Sequence, residues 1–81
     1  MDYVGVKQQI VEIFEDVMDV EDVVLEDTTT ADDVEEWDSL SHVRLLVAIE
    51  RSFGISFSNA EIESLTQFGD IVRLVLDKKA A

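Results

Sequence analysis

The chain of 81 residues has no cysteine and a single histidine. The first absence excludes disulfide staples, thiolate metal sites and a cysteine nucleophile, and the second leaves little for imidazole chemistry. Bases are scarce too: six Lys and Arg stand against nineteen Asp and Glu, a formal net charge of -13. A surface this negative repels nucleic acid and anionic membranes, which argues against both as partners and makes basic protein surfaces the natural ones. Long apolar runs are also missing. The longest, Leu45 to Ile49, is far too short to span a bilayer, and Met1-Asp2-Tyr3-Val4 shows no basic segment followed by an apolar stretch. The expectation is a soluble, cytoplasmic protein. A chain of this length makes one domain, expected over residues 1–81, and buries only about 60% of the surface its unfolded form exposes. That argues against a large enclosed active site and leaves stability to packing alone.

What charge there is lies unevenly. Thirteen acids fall between Glu12 and Asp38 with no Lys or Arg among them, whereas Ser39 to Phe53 holds Glu50 against Arg44 and Arg51 and is slightly positive. A charge of this size keeps a small domain soluble and is expected to keep it monomeric.

Hydrophobic periodicity yields helices and no strand. Tyr3, Val6, Ile10, Ile13, Phe14 and Val17 recur at steps of three and four, predicting a helix from about residue 2 to 18. From Asp19 to Asp38 the period is lost. A connection this long in a small domain is uncommon and usually functional, so Val20, Val23, Val24 and Leu25 are expected to pin it to the core. A second helix is predicted from Ser39 to Phe53, with Leu40, Val43, Leu46, Val47, Ile49 and Phe53 on a broad apolar face and Gly54 as its C-cap. Ser58-Asn59-Ala60-Glu61 has capping-box spacing and opens a short third helix. Thr66 or Gln67 opens the last helix, in which Phe68, Ile71, Val72, Val75 and Leu76 form the buried stripe and Lys78 and Lys79 suit the negative end of the dipole. The fold class is therefore all-α, with four helices, a long loop between the first and second, and a short third.

Local chemistry and position agree at the junction Asp38-Ser39-Leu40, where the acidic loop meets the second helix. Asp38 is the N-cap candidate. Ser39 then falls in the first turn, where its hydroxyl is not needed for capping and can point to solvent. A phosphodiester there lies near the positive end of the helix dipole, a benefit of about 0.3–1 kcal/mol that the adjacent Asp38 partly opposes.

Trp37-Asp38-Ser39-Leu40, the helix from Ser41 to Glu50, and Phe53-Gly54-Ile55 resemble the modification site and following helix of the acyl or peptidyl carrier protein family. Asp-Ser-Leu alone is a weak motif; joined to this order of helices, length and charge it becomes strong. The resemblance implies a four-helix bundle of the acyl carrier protein type. It implies that a phosphopantetheinyl transferase moves 4'-phosphopantetheine from coenzyme A to Ser39, and that acyl-loading ligases or synthases charge the terminal thiol as a thioester. The chain itself catalyses nothing on this reading. Asp38 and Leu40 would help the transferase recognise the site. The arm and cargo would lie between the second and third helices against Val43, Val47, Phe57, Ile62 and Leu65, residues whose spacing core packing explains equally well. His42 is expected as an exposed helix residue beside the arm.

Carriers of general fatty acid synthesis usually have an acidic second helix, and here the corresponding positions include Ser41, Arg44, Arg51 and Ser52. Partners reading that face would meet Arg44 and Arg51, which disfavours docking by lysine- and arginine-rich surfaces. Trp37 is more typical of peptidyl, aminoacyl and discrete polyketide carriers. Together they point to a discrete carrier of a specialised fatty acid, polyketide or nonribosomal peptide pathway, with Trp37, Arg44 and Arg51 facing partners. Two other classes compete with this reading. Catalysis by Ser39 and His42, three residues apart, lacks an acid to orient the imidazole. A non-catalytic acidic interaction module or divalent-cation module would draw on Glu26, Asp27, Asp32, Asp33, Glu35 and Glu36, but no glycine stands between Gly5 and Gly54 to form an EF-hand loop.

Overall fold

Asp2 starts the first helix by accepting the Gly5 N–H at 2.7 Å, and α1 runs Tyr3–Met18. It ends at Asp19, whose left-handed φ of 56° turns the chain while its N–H and that of Val20 donate back to the Glu15 carbonyl. Aspartate tolerates this region better than most residues. The structure, a computed structural model, describes residues 2–80; Met1 and Ala81 of the expected domain lie outside them. Three further helices follow: α2 Ser39–Phe53, α3 Asn59–Ser64 and α4 Phe68–Ala80. Among the described residues no helix is long and apolar enough to cross a membrane.

The core is built on α1. Val6, Ile10, Phe14 and Met18, each four residues from the last, are buried, and α1 packs against both α2 and α4. Tyr3, Ile13 and Val17, expected on the same stripe, flank it half-buried. From α2 come Leu45, Leu46, Ile49 and Phe53, and from α4 Phe68, Ile71, Val72 and Val75. Leu46, Ile49 and Phe53 match the expected face of α2; Leu40, Val43 and Val47 do not, being 63%, 56% and 38% exposed, and Leu45 takes the core position instead. The reason is geometric. At 100° per residue, Leu40, Val43 and Val47 stand on the side of the helix opposite Ile49, so a stripe wide enough to include both cannot bury both.

The segment 19–38 is ordered by side chains inside its own length. Leu25 and Trp37 are buried, with Val20, Val23 and Val34 packed beside the core, while Val24, expected to pin the loop, is 80% exposed. Neighbouring valines in an extended stretch point to opposite sides, so only one can face inward. Ala31–Asp33 forms a single 3-10 turn that periodicity is too short to reveal; the Asp33 carboxylate accepts the Thr30 N–H at 2.9 Å. The loop is also tied to α4, for the Phe68 and Gly69 N–H groups donate to the Thr29 and Asp27 carbonyls at 2.8 and 2.9 Å. Loop carbonyls thereby cap donors that the first turn of α4 cannot satisfy itself.

Gly54, at φ 68°, ends α2 as expected, returning its N–H to the Glu50 carbonyl. Ser58 and Glu61 form the anticipated capping box of α3, with the Ser58 N–H donating to Glu61 at 2.8 Å. α4 begins at Phe68, after the expected Thr66 or Gln67, because both of those N–H groups are held by the Asp70 carboxylate ahead of the first turn. Those donors, with the Thr66 hydroxyl and Arg73, hold the Asp70 pKa down at about 2. Lys78 and Lys79 do more than sit at a dipole: Lys78 pairs with Glu61 of α3 at 2.9 Å, and Lys79 donates to the Phe53 carbonyl at the end of α2.

Two substitutions test this packing. Leu45→Ala is expected to destabilise by about 2–5 kcal/mol and Val43→Ala by less than about 0.5 kcal/mol, the reverse of what an apolar face centred on Val43 requires, as read by thermal denaturation. A Cβ on Gly69 would stand 2.9 Å from both the Cβ and the carbonyl oxygen of Asp27. Gly69→Ala should therefore lower the melting temperature, since overpacking of about 1–3 kcal/mol outweighs a helix-propensity gain of at most about 1 kcal/mol.

Candidate functional site

The start of α2 is a closed set of hydrogen bonds that leaves one hydroxyl out. The Asp38 carboxylate accepts the Ser41 N–H at 2.9 Å, and the Ser41 hydroxyl accepts the Asp38 N–H at 2.8 Å and lies 2.8 Å from the Glu36 carbonyl. This is a capping box with serine in the place usually held by Glu or Gln. The Ser41 N–H, then its hydroxyl, hold the Asp38 carboxyl below its ordinary pKa, outweighing partial desolvation. From sequence Ser41 was read only as a non-acidic position of the second helix; the signal of its capping role is the three-residue spacing from Asp38.

Ser39 stands between these two partners, exposed, and its hydroxyl makes no hydrogen bond among the described residues. Leu40 beside it is exposed. A phosphodiester on Ser39 fits this position: the oxygen is reachable, and the unpaired N–H groups of a 15-residue helix begin there.

Trp37, expected to face partners, is instead core. It is 4% exposed, and its ring meets Phe14 edge-on at 5.3 Å, while Phe14 meets Phe68 the same way at 6.2 Å. Its indole N–H donates to His42 Nδ1 at 3.0 Å. His42 is thus half-buried and engaged, not a free surface residue, and burial pulls its pKa below the ordinary value. An imidazole accepting at Nδ1 is neutral and carries its proton on Nε2.

A hollow of about 200 Å³ with mainly apolar walls reaches Ser39 itself and is lined also by Trp37, His42, Leu65 and Ile71, with Ala31, Thr66 and Gln67. Of the residues expected to line a groove between the second and third helices, only Leu65 reaches it. Val43 and Val47 lie on the outward face of α2; Phe57 packs on the core with the Lys78 ammonium 6.0 Å above its ring; Ile62 is half-buried on α3. Ala31, Thr66, Gln67 and Ile71 were missed because they converge from the 3-10 turn, the α3–α4 connection and α4. Arg44 and Arg51 are exposed.

Protonating His42 must break its bond from Trp37, so the pair couples titration to structure. The neutral form is favoured in the fold; the stability it contributes is present above the ordinary pKa of 6.5 and is lost as pH falls through the lower folded value. In an NMR titration His42 should show a midpoint below 6.5. Trp37→Phe should raise it, by removing the donor and loosening the burial.

Comparison with known proteins bears on the family and the fold. Residues 8–75 match the family model described as phosphopantetheine attachment site. Over 44 residues the chain is 39% identical to an acyl carrier protein of Helicobacter acinonychis (strain Sheeba) and 36% identical to one of Helicobacter pylori (strain G27). Each match covers 54% of this chain and 56% of the relative, so the chain spans about half the length of the curated relatives it matches. The solution structure of a holo acyl carrier protein from Geobacter metallireducens superposes with a TM-score of 0.86 at 38% identity, covering 91% of this chain and 85% of that one. With its four helices in the same arrangement and most of its length inside the attachment-site model, the chain belongs to the acyl carrier protein family of non-catalytic, phosphopantetheine-bearing proteins.

Proposed function

We propose that Ser39 is the residue that takes the arm, and that the chain, as one carrier domain over residues 1–81, presents an acyl or aminoacyl intermediate to partner enzymes. The observation that carries this reading is the division of labour at the start of α2. Asp38 and Ser41 satisfy each other and the helix end, which leaves the Ser39 hydroxyl exposed and uncommitted. In the transfer, the Ser39 oxygen forms the new bond to phosphorus, its proton passes to the transferase, and the adenine nucleotide of coenzyme A departs. When bound, the arm supplies the thiol that holds cargo as a thioester. The residues of the chain position it: the first turn of α2 fixes the anchor, Asp38 and Leu40 mark it for the transferase, and the hollow formed by Trp37, His42 and Leu65 offers apolar shelter. Tethering to a small body raises the effective concentration of cargo at any enzyme that docks the body.

A specialised pathway, discrete rather than general fatty acid synthesis, is the finer reading. Arg44, Arg51, Ser41 and Ser52 on α2 support it, because they replace the acids that general enzymes read. The partners are then a phosphopantetheinyl transferase and the ligase or synthase that loads the thiol, met by a monomer in the cytoplasm.

Intact mass after incubation with coenzyme A and a broad-specificity transferase tests the anchor. The native chain and Ser41→Ala should both gain one phosphopantetheine, the latter from a less stable helix start, and Ser39→Ala should gain none. A gain on Ser39→Ala that is lost in Ser41→Ala would move the anchor and overturn the assignment.

A further inference from the structure

The outward side of α2 departs from the rest of the molecule in both polarity and charge. Leu40, Val43 and Val47 form an exposed apolar ridge at steps of three and four residues. Arg44 and Arg51 fall on the same side, within about 60° of the ridge at 100° per residue. Four of the six bases are occupied within the fold: Lys7 with Asp27, Arg73 with Asp70, Lys78 with Glu61 and Lys79 with the Phe53 carbonyl. Arg44 and Arg51 make no side-chain bond among the described residues. The one acid of α2, Glu50, stands within about 60° of the ridge by the same count, but its half-buried carboxylate is engaged, accepting the Phe57 N–H at 2.7 Å. In a chain of net charge -13, this side of α2 therefore sets two free arginines against one engaged carboxylate and is net positive.

Its N-terminal end is opposite in sign. Glu35, Glu36 and Asp38 are exposed just before Ser39. At a rise of 1.5 Å per residue, Arg44 lies about 9 Å and Arg51 about 20 Å along the axis from Asp38. Those spacings equal or exceed the screening length of about 8 Å at physiological ionic strength, so a docked surface feels the two ends as separate charges. We propose that this ridge docks a protein partner whose surface offers an apolar socket flanked by carboxylates for Arg44 and Arg51, with basic groups only at the mouth that receives Ser39. Apolar side chains supply the contact area, and the reversal of charge along the helix sets the direction in which the partner lies. The inference rests on Ser39 being the anchor, because any enzyme that reaches that hydroxyl sits over the same helix. A second copy of this chain is the weaker occupant, since its net charge opposes association.

A charge-swap cycle decides. Ser39 loading is followed by intact mass, as an initial rate, with a broad-specificity phosphopantetheinyl transferase whose carrier-facing surface is basic and with the same enzyme after those side chains are exchanged for glutamate. The carriers are the native chain, R44E/R51E, and a Gln8→Glu/Gln9→Glu control that adds negative charge on α1. The native chain should prefer the acidic-faced enzyme and R44E/R51E the basic-faced one, with the two preferences differing by about tenfold or more, since two charge contacts change sign between the pairings. Raising salt from about 0.05 M to about 0.5 M should shrink the difference. Equal preference by native chain and R44E/R51E overturns the docking proposal and leaves Ser39 as anchor; so does a control that behaves like R44E/R51E. If the swapped enzyme loads no carrier, the basic one suffices, and R44E/R51E no faster than native overturns the proposal. No mass gain in any pairing overturns the Ser39 reading itself. Sedimentation showing a dimer of the native chain that R44E/R51E abolishes would seat a second copy on the ridge and overturn the partner proposed.

Discussion

The burial of Trp37 holds the arrangement together. A long acidic segment has little reason to lie against an acidic body, and repulsion within it works against order. The indole overcomes this by placing a large apolar surface edge-on against Phe14, which in turn meets Phe68, so the end of the loop is locked to α1 and α4 at once. The next residue is Asp38, the helix cap, and the next again is Ser39. The exposed hydroxyl is therefore positioned by a core residue two places before it, with no contact of its own required.

Much of the fold was legible because helical period and end signals agree. Gly54 and the Ser58–Glu61 box closed α2 and opened α3 where expected, and Asp38 capped α2. Ser39 was legible as a hydroxyl in a first turn freed from capping, and the resemblance to carrier proteins rested on Trp37-Asp38-Ser39-Leu40 joined to the order of helices, the length and the charge. What sequence could not supply was the division between two sides of α2. Val43 and Leu45 are both apolar, and only packing against α1 decides that Leu45 turns in and Val43 out. Trp37 misled for a related reason: an aromatic beside a candidate site reads equally as surface or core until its neighbours are known.

The loop shows a second limit. Its valines carry no period, so Val24 could not be told from Val23, and the bonds that fix its path join Asp27 and Thr29 to Phe68 and Gly69, some forty residues away. Long-range pairing of this kind leaves almost no local trace except the small residue that permits it. Gly69 is that trace, buried where a methyl would strike the Asp27 backbone.

Rigidity is unequally shared among the helices. α3 has six residues, none of them buried, and is held at its flanks by Phe57 and Leu65 and by the half-exposed Lys78–Glu61 pair, whereas α1, α2 and α4 each surrender at least four side chains to the interior. Local opening costs least where least apolar surface is given up. Opening therefore costs least at one short element beside a stiffer three-helix frame, and the first turn of α2 that carries Ser39 belongs to the frame.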